Sequence, residues 1–232
     1  MTVLAQLKHY VRSTIYKINP DFFLKDFWKK RGKDYAKEVQ SESYRQMYDM
    51  IAALCLAEKP AHILEYGCGY GYLLKRTSEL DKKREIQEYN GIDFSGTQIQ
   101  NARINFPHGK FVQADLTKGL DFYANRKFDV VVGVGVLMYI QPDHIHAVIA
   151  ELARVCRKKI LLAEYYFKFL NQDIQARYLN ANKHDGRCVY DYESLLKEHG
   201  FRDVKIERLK CFEDPSINTL NEMPQMLIAG TK

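Results

Sequence analysis

Five residues of this sequence have types and spacing that indicate chemistry: three alternating glycines and, further along, two aspartates. Gly67, Gly69 and Gly71 lie within the segment ILEYGCGYGYLL, which runs from Ile63 to Leu74. An apolar run precedes the glycines and a helix-compatible run follows them, which predicts a strand, a tight turn and a helix. Glycine lets such a turn bend sharply and lets a ligand lie against bare backbone. We therefore predict a site for a nucleotide-like ligand at the carboxyl end of a buried strand.

The spacing of the glycines distinguishes this turn from two other nucleotide-binding turns. In the dinucleotide pattern G-x-G-x-x-G, counted from Gly67, the third glycine would stand at Tyr72, but here it comes one residue early, at Gly71. A P-loop requires a Gly-Lys-Ser or Gly-Lys-Thr sequence after the turn, and none follows. The pattern therefore favours neither a dinucleotide nor a P-loop nucleotide.

The two aspartates follow at the ends of the next two predicted strands. Asp93 comes twenty-odd residues after Gly71, the separation at which a strand-helix-strand unit brings an acid to a ribose. Its carboxylate can accept hydrogen bonds from both ribose hydroxyls, and Asp115, one strand further out, can accept from the exocyclic amine of an adenine. The alternative for each acid is a cap on the following helix. Their joint order and spacing favour the ligand.

The elements that must position these residues are read from hydrophobic periodicity. A helix is predicted from Ser41 to Pro60, and further helices after the glycine turn, through Ile99 and Ile104, and in DYESLLKEHGF. The predicted strands are His62–Tyr66, 89–94, KFVQADL, FDVVVGVGVLMYI, KILLAEYY, DVKIERLKCF and QMLIAGTK, with the helix PDHIHAVIAELARVCRK between the fourth and fifth. Strands that alternate with helices predict an α/β fold, a mostly parallel sheet with helices on both faces.

Two segments lie outside this alternation. Residues 1–40 are predicted to form an N-terminal helical and aromatic cap ahead of a domain at 41–232, which carries an irregular insert at 167–189. The cap begins with an amphipathic helix whose basic face could dock on the domain or on an anionic membrane. Its later part mixes aromatic and basic residues, a composition compatible with a packed basic edge, a lid on a ligand pocket or RNA stacking.

Composition restricts the class of protein. The chain has 232 residues, 46% hydrophobic content and a net charge of +6, with no block of five like charges, so nucleic acid is not expected as a partner. Its five cysteines are scattered and odd in number, which argues against a disulfide framework or zinc site and predicts a cytoplasmic location. No apolar run approaches the roughly 20 residues of a membrane span. The sequence leaves the oligomeric state open.

In combination, the motifs LEYGCGYG, GIDFS, FVQADL and FDVVVGVGVLMYI resemble the class I S-adenosylmethionine-dependent methyltransferases of the small-molecule type, over residues 44–200. The resemblance implies a Rossmann-like sheet of seven strands with the last antiparallel, S-adenosylmethionine as cofactor and no metal. It also implies roles for individual residues: Glu65 and the turn of Gly67, Gly69 and Gly71 at the methionine end, Asp93 at the ribose, Phe94 at the adenine face, Asp115 and Leu116 at the adenine edge, and the loop from Gly133 and Val134 to Val136 beside the sulfonium.

Motifs of other branches of the family are missing from this sequence, which reduces the number of possible reaction types. The loop after the fourth strand reads GVGV, without the Asn/Asp-Pro-Pro-aromatic motif of enzymes that methylate exocyclic or amide nitrogens, and no Pro-Cys stands at a strand end. What remains is direct displacement of the methyl group by an oxygen, nitrogen or carbon nucleophile. Tyr139 and His144 are the candidate catalytic residues, although a tyrosine there is equally a pocket wall and a histidine is commonly solvated. His146, His184 and Asp185 are further candidates.

We therefore predict a methyltransferase that acts on a small or medium-sized metabolite. One alternative keeps the cofactor but makes the acceptor RNA or protein, because the basic run KKRGK adjoins Trp28. Another is a binding protein with this fold and without turnover, since fold alone does not establish function.

Overall fold

The computed structural model describes residues 26, 28–30, 42–166, 188–209 and 225–232. In chain order its elements are α1 (Glu42–Ala57), β1 (His62–Tyr66), α2 (Tyr72–Leu80), β2 (Glu88–Asp93), α3 (Gly96–Asn105), β3 (Lys110–Gln113), β4 (Phe128–Val134), α4 (Pro142–Val155), β5 (Cys156–Tyr165), α5 (Tyr192–Glu198), β6 (Arg202–Arg208) and β7 (Gln225–Thr231). Short 3-10 turns at Leu116–Lys118 and Leu137–Tyr139 follow β3 and β4.

The strands form one sheet of seven, in the order β3-β2-β1-β4-β5-β7-β6. The first five run parallel, whereas β7 pairs antiparallel with both β5 and β6. The order reverses between β1 and β4, which is where open α/β sheets bind ligands beyond the carboxyl ends of their strands. The predicted Rossmann-like, mostly parallel seven-stranded sheet is therefore confirmed.

Alternate residues of the central strands pack on opposite faces of the sheet. Val130 and Val132 of β4 contact the layer that contains α1, α2 and α3, while Val131 between them packs against α4 and α5. All three valines are fully buried, as expected of a parallel strand covered on both faces. This rigid centre fixes where β1, β2 and β4 end, and hence where the site residues lie.

Two strands are shorter than the sequence predicts. The β-branched run FDVVVGVGVLMYI leaves the sheet after Val134, because Gly135 has a left-handed φ of 64° and the chain then enters a 3-10 turn. In the same way β3 ends at Gln113, and Asp115 caps the next 3-10 turn instead of ending a strand. Both differences occur at the carboxyl edge of the sheet, where loop backbone is needed to build a site.

The predicted N-terminal cap and insert fall almost entirely outside the described residues. Of the cap, the structure describes Asp26 and residues 28–30, which are helical; of the insert, it describes Cys188 and Val189, which are buried. The division into a cap and a main domain stays a prediction. Within the described part of the chain, no helix is both long and apolar enough to cross a membrane.

Candidate functional site

A cleft opens where β1, β2 and β4 end, beside the point at which the strand order reverses. It holds about 970 Å³ of empty space, its open mouth included. The lining comes from four parts of the chain: the glycine turn (Gly67, Gly69), the end of β2 and start of α3 (Ile92, Asp93, Phe94, Ser95, Gln98), the segment after β3 (Ala114, Asp115, Leu116, Thr117), and the loop after β4 with the N-terminal segment (Val134, Gly135, Val136, Tyr139, Ile140, Trp28).

Asp93 joins two of these parts through backbone hydrogen bonds. Its carboxylate accepts from the amide of Gly69 at 3.0 Å and from the amide of Ser95 at 2.8 Å. Burial raises the pKa of this carboxyl above its ordinary value, and the two amide donors act in the opposite direction. Each carboxylate oxygen has a second lone-pair direction, so the group can still accept hydrogen bonds from a ligand in the cleft.

Asp115 also lines the cleft and is half-buried. One of its carboxylate oxygens accepts from the amide of Thr117 at 3.1 Å and from the hydroxyl of Thr117 at 2.8 Å. It therefore acts as the helix cap that was the alternative to a ligand role, and it also lines the cleft. Phe94 and Leu116 line the cleft too and supply apolar surface.

The three glycines of the turn share a backbone conformation but differ in what surrounds them. Gly67, Gly69 and Gly71 all have positive φ, at 61°, 51° and 76°. A Cβ at Gly67 would stand 2.3 Å from Cγ2 of Val136, and a Cβ at Gly71 would stand 2.8 Å from the ring of Phe111. Gly67 and Gly69 line the cleft, whereas Gly71 caps α2 and packs on Phe111.

Glu65 lies behind the glycine turn and is only 4% exposed. Burial raises its pKa well above the ordinary value, and its Oε2 has no hydrogen-bond partner among the described residues. Glu65 lines a smaller cleft with Tyr48, Tyr70 and others, and Gly67, Gly69 and Val134 are common to both clefts. An orphaned buried carboxylate oxygen is costly, so its position indicates a missing polar partner on this side.

The loop after β4 forms another part of the wall of the cleft. Val134 lines the cleft as predicted, but Gly133 does not: a Cβ at Gly133 would stand 2.0 Å from the ring of Tyr66, so this glycine makes room for a core tyrosine. Beyond it, Gly135 and Val136 line the cleft, and the chain then turns to present Tyr139.

Two aromatic side chains line the cleft together. Trp28 and Tyr139 both line it, and their rings meet edge to face with centroids 5.1 Å apart. Ile140 lines the cleft beside them, and its carbonyl accepts from the hydroxyl of Tyr190 at 2.5 Å. The described part of the insert is therefore tied to this wall, because Cys188 also donates its amide to the carbonyl of Met138 at 2.6 Å.

The other candidate residues are not brought to the cleft. His144 is half-buried in the first turn of α4 and His146 lies 3.6 Å from the carboxylate of Glu198, and neither is among the lining residues. Tyr165 and Tyr166, which an aromatic acceptor pocket could have used, are core residues. His184 and Asp185 lie outside the described residues.

Sequence reasoning missed several lining residues, of which Gln98 is the most informative. It lines the cleft and is 5% exposed, and its backbone amide donates to the hydroxyl of Ser95 at 3.4 Å in the first turn of α3. The Ser95 cap was a readable signal for this turn, since a serine three residues ahead of a helical position is a typical N-cap. Ala114 and Thr117 flank Asp115 and carry no comparable signal.

Comparison with known proteins agrees with this geometry. Residues 63–159 match a family model described as a methyltransferase domain. The matched span runs from β1 into β5 and contains Asp93, Asp115 and the glycine turn. A methyltransferase domain on this sheet supports a class I S-adenosylmethionine-dependent methyltransferase.

Relatives of this methyltransferase act on different acceptors. It is 29% identical over 205 residues to the human tRNA N(3)-cytidine methyltransferase METTL6, an alignment that covers 77% of this chain and 71% of the relative. Magnesium protoporphyrin IX methyltransferase from Synechocystis PCC 6803, solved with bound S-adenosylmethionine, superposes with a TM-score of 0.64 at 15% identity, covering 95% of this chain and 97% of that one. A methyltransferase from Thermotoga maritima gives a TM-score of 0.60 at 18% identity, with coverages of 88% and 98%. The likeness to the solved structures shows the fold alone.

Proposed function

We propose that this methyltransferase transfers the methyl group of S-adenosylmethionine to a small or medium-sized metabolite, and that the cofactor lies in the cleft at the ends of β1, β2 and β4. The observation that carries the proposal is the aromatic pair that lines this cleft, where Trp28 meets Tyr139. An aromatic lining suits a small acceptor that enters beside the cofactor.

The residues that line the two clefts fit the cofactor. Asp93 would accept from the ribose hydroxyls, and Phe94 and Leu116 would contact the adenine; all three line the main cleft. Asp115, which adjoins Leu116 and also lines this cleft, would accept from the adenine amine. Glu65, whose buried Oε2 has no partner among the described residues, lines the smaller cleft and would receive the ammonium of the methionine end.

When bound, the cofactor supplies a methyl group on a positively charged sulfur, a strong electrophile that needs little further activation. The chain's own contribution is to hold the acceptor in line with that methyl group, for which orientation alone contributes several kcal/mol. Gly135 and Val136 and the aromatic residues Trp28 and Tyr139 line the cleft and would form the wall beside the acceptor. Tyr139 is the described side chain there with a titratable proton, and its catalytic role, like that of His144, stays a prediction.

RNA is the second candidate acceptor, because two observations favour it. The relative named above is a tRNA methyltransferase that aligns with 77% of this chain. Lys29 and Lys30 are exposed beside Trp28, although Lys30 is 2.6 Å from Asp26 and so partly neutralised. Phosphate contacts would make binding fall steeply with salt.

A labelled-methyl screen distinguishes the two acceptors. The full chain, incubated with radiolabelled S-adenosylmethionine, is expected to label a metabolite extract and not a bulk tRNA pool. Trp28→Ala should reduce labelling, since it removes one ring of the aromatic pair, while Lys29→Ala/Lys30→Ala should leave it unchanged. If tRNA is labelled instead, and this labelling is lost in the double lysine variant and at about 300 mM salt, the acceptor is RNA and not a metabolite.

A further inference from the structure

Glu164, near the end of β5, is a buried carboxylate that the proposed chemistry does not use. It is fully buried, and its Oε1 accepts from the amides of Val136 and Leu137, each at 2.8 Å. Its Oε2 accepts from the amide of Met138 at 3.4 Å. One side chain from β5 therefore binds three consecutive amides of the loop after β4.

Those three amides begin the 3-10 turn that shapes the wall of the cleft. Val136 lines the cleft itself, and Tyr139 at the end of the turn contacts Trp28. Val136, which precedes the turn, makes no side-chain capping hydrogen bond of its own. Because the first amides of a helical turn have no partner within it, the carboxylate supplies from a neighbouring strand what a local cap would otherwise supply.

Two fully buried phenols interact electrostatically with Glu164. They belong to Tyr66 of β1 and Tyr192 of α5, and the thiol of Cys188 interacts with Tyr192 in the same way. Burial, and then the charge of Glu164, raise the pKa of both phenols well above the ordinary value, so neither titrates near neutral pH. Burial raises the pKa of Glu164 to about 7, although its three amide donors lower it.

We propose that Glu164 is a positioning residue: its carboxylate fixes residues 136–139 as the wall of the cleft, and protonation of that carboxylate loosens the wall. An ionised carboxylate accepts with both oxygens, whereas a protonated one turns one oxygen into a donor that opposes an amide N–H. The wall is therefore held firmly at pH 8 and weakly at pH 6. The part of this inference that concerns cofactor affinity rests on the proposed function; the part that concerns the loop does not.

The loop is tested first, without any ligand. Trp28 is the only tryptophan of the chain and contacts Tyr139, so its fluorescence reports the position of the wall. In the full chain we expect one transition in Trp28 emission with a midpoint near pH 7, absent in Glu164→Gln and retained in His144→Gln, which removes the histidine nearest to Tyr139 in the sequence. A wild-type emission that is flat from pH 6 to pH 8, or a transition that survives in Glu164→Gln, overturns the proposal.

Cofactor affinity is tested next by calorimetry with S-adenosylhomocysteine. Wild type should bind S-adenosylhomocysteine at least about fivefold more tightly at pH 8 than at pH 6. Glu164→Gln should bind it more weakly than wild type does at pH 8, and with the same affinity at both pH values. Glu164→Asp keeps the carboxylate on a shorter side chain and should retain part of the wild-type pH dependence. This variant tests the proposal if Glu164→Gln folds poorly. The matched control is Asp129→Asn, which removes another fully buried carboxylate at the opposite end of the sheet, and it should keep the wild-type pH dependence.

The two proposals fail in different ways. Wild type that shows the Trp28 transition but does not bind S-adenosylhomocysteine contradicts the cofactor assignment and supports the role of Glu164 in the loop. Wild type that binds S-adenosylhomocysteine with the same affinity at both pH values, and equally tightly as Glu164→Gln, supports the cofactor and overturns the role of Glu164.

Discussion

Replacing Gly67 with alanine should strain the glycine turn and the loop after β4 together. The residue has a φ of 61°, which costs an alanine about 1 kcal/mol or slightly more. Its Cβ would stand 2.3 Å from Cγ2 and 2.9 Å from Cγ1 of Val136, and such overpacking costs about 1–3 kcal/mol. We therefore expect Gly67→Ala to lower the free energy of unfolding by about 2–4 kcal/mol.

A double-mutant cycle in urea isolates the steric part. Val136→Ala removes both methyl groups that the new Cβ would meet, so in that background Gly67→Ala should cost only about 1 kcal/mol. Gly200→Ala is the control for backbone strain, because Gly200 has a φ of 83° but a Cβ there would meet only the flexible end of Lys232, at 3.5 Å. Strictly additive costs for Gly67→Ala and Val136→Ala would refute the close approach of the turn to the loop.

Three further predictions concern the cleft and the base of the sheet. Asp93→Asn should weaken S-adenosylhomocysteine binding by tenfold or more in calorimetry, since hydrogen bonds to a charged group are worth about 1.5–3 kcal/mol; unchanged affinity would remove Asp93 from the site. Gly133→Ala should destabilise the fold by about 3 kcal/mol or more in urea, because its Cβ would stand 2.0 Å from the ring of Tyr66; a loss under about 1 kcal/mol would contradict that packing. Burial acts to raise the pKa of Asp129, but hydrogen bonds from Arg157 and from backbone amides lower it to about 2. Its ionised form therefore adds about 2 kcal/mol to the free energy of unfolding above about pH 4, and this contribution is lost as the pH falls through 2. Asp129→Asn should flatten the fall in stability at acid pH, and an unchanged fall would contradict this role.

Much of the fold was predictable because its signals are local. His62–Tyr66 was predicted with the bounds that the structure has, since a buried apolar run ends there at glycines. The β-branched centre of β4 and the amphipathic face of α4 were equally clear. Parallel and antiparallel pairing followed from the alternation of strands with helices and from the family resemblance, not from any single strand.

The parts of the site that motifs in the sequence define could be predicted. The parts that depend on backbone contacts between distant segments could not. The proximity of Asp93 to the glycine turn was predictable, because glycines followed by an acid at this separation are typical of a strand-helix-strand unit that binds a ribose. Gly133 makes room for the ring of Tyr66, and the sequence could not show this because a core contact and a ligand contact both require glycine. Glu164 carried no signal at all: its partners are amides 26 to 28 residues away, brought close only by the pairing of β4 with β5.

The most direct test of the account is a crystal structure of the full chain with S-adenosylhomocysteine. We expect one molecule of the ligand in the cleft, with its ribose hydroxyls on the carboxylate of Asp93, its adenine against Phe94 and Leu116, and its sulfur beside Gly135 and Val136. A ligand bound elsewhere, or a ribose that does not contact Asp93, would contradict it.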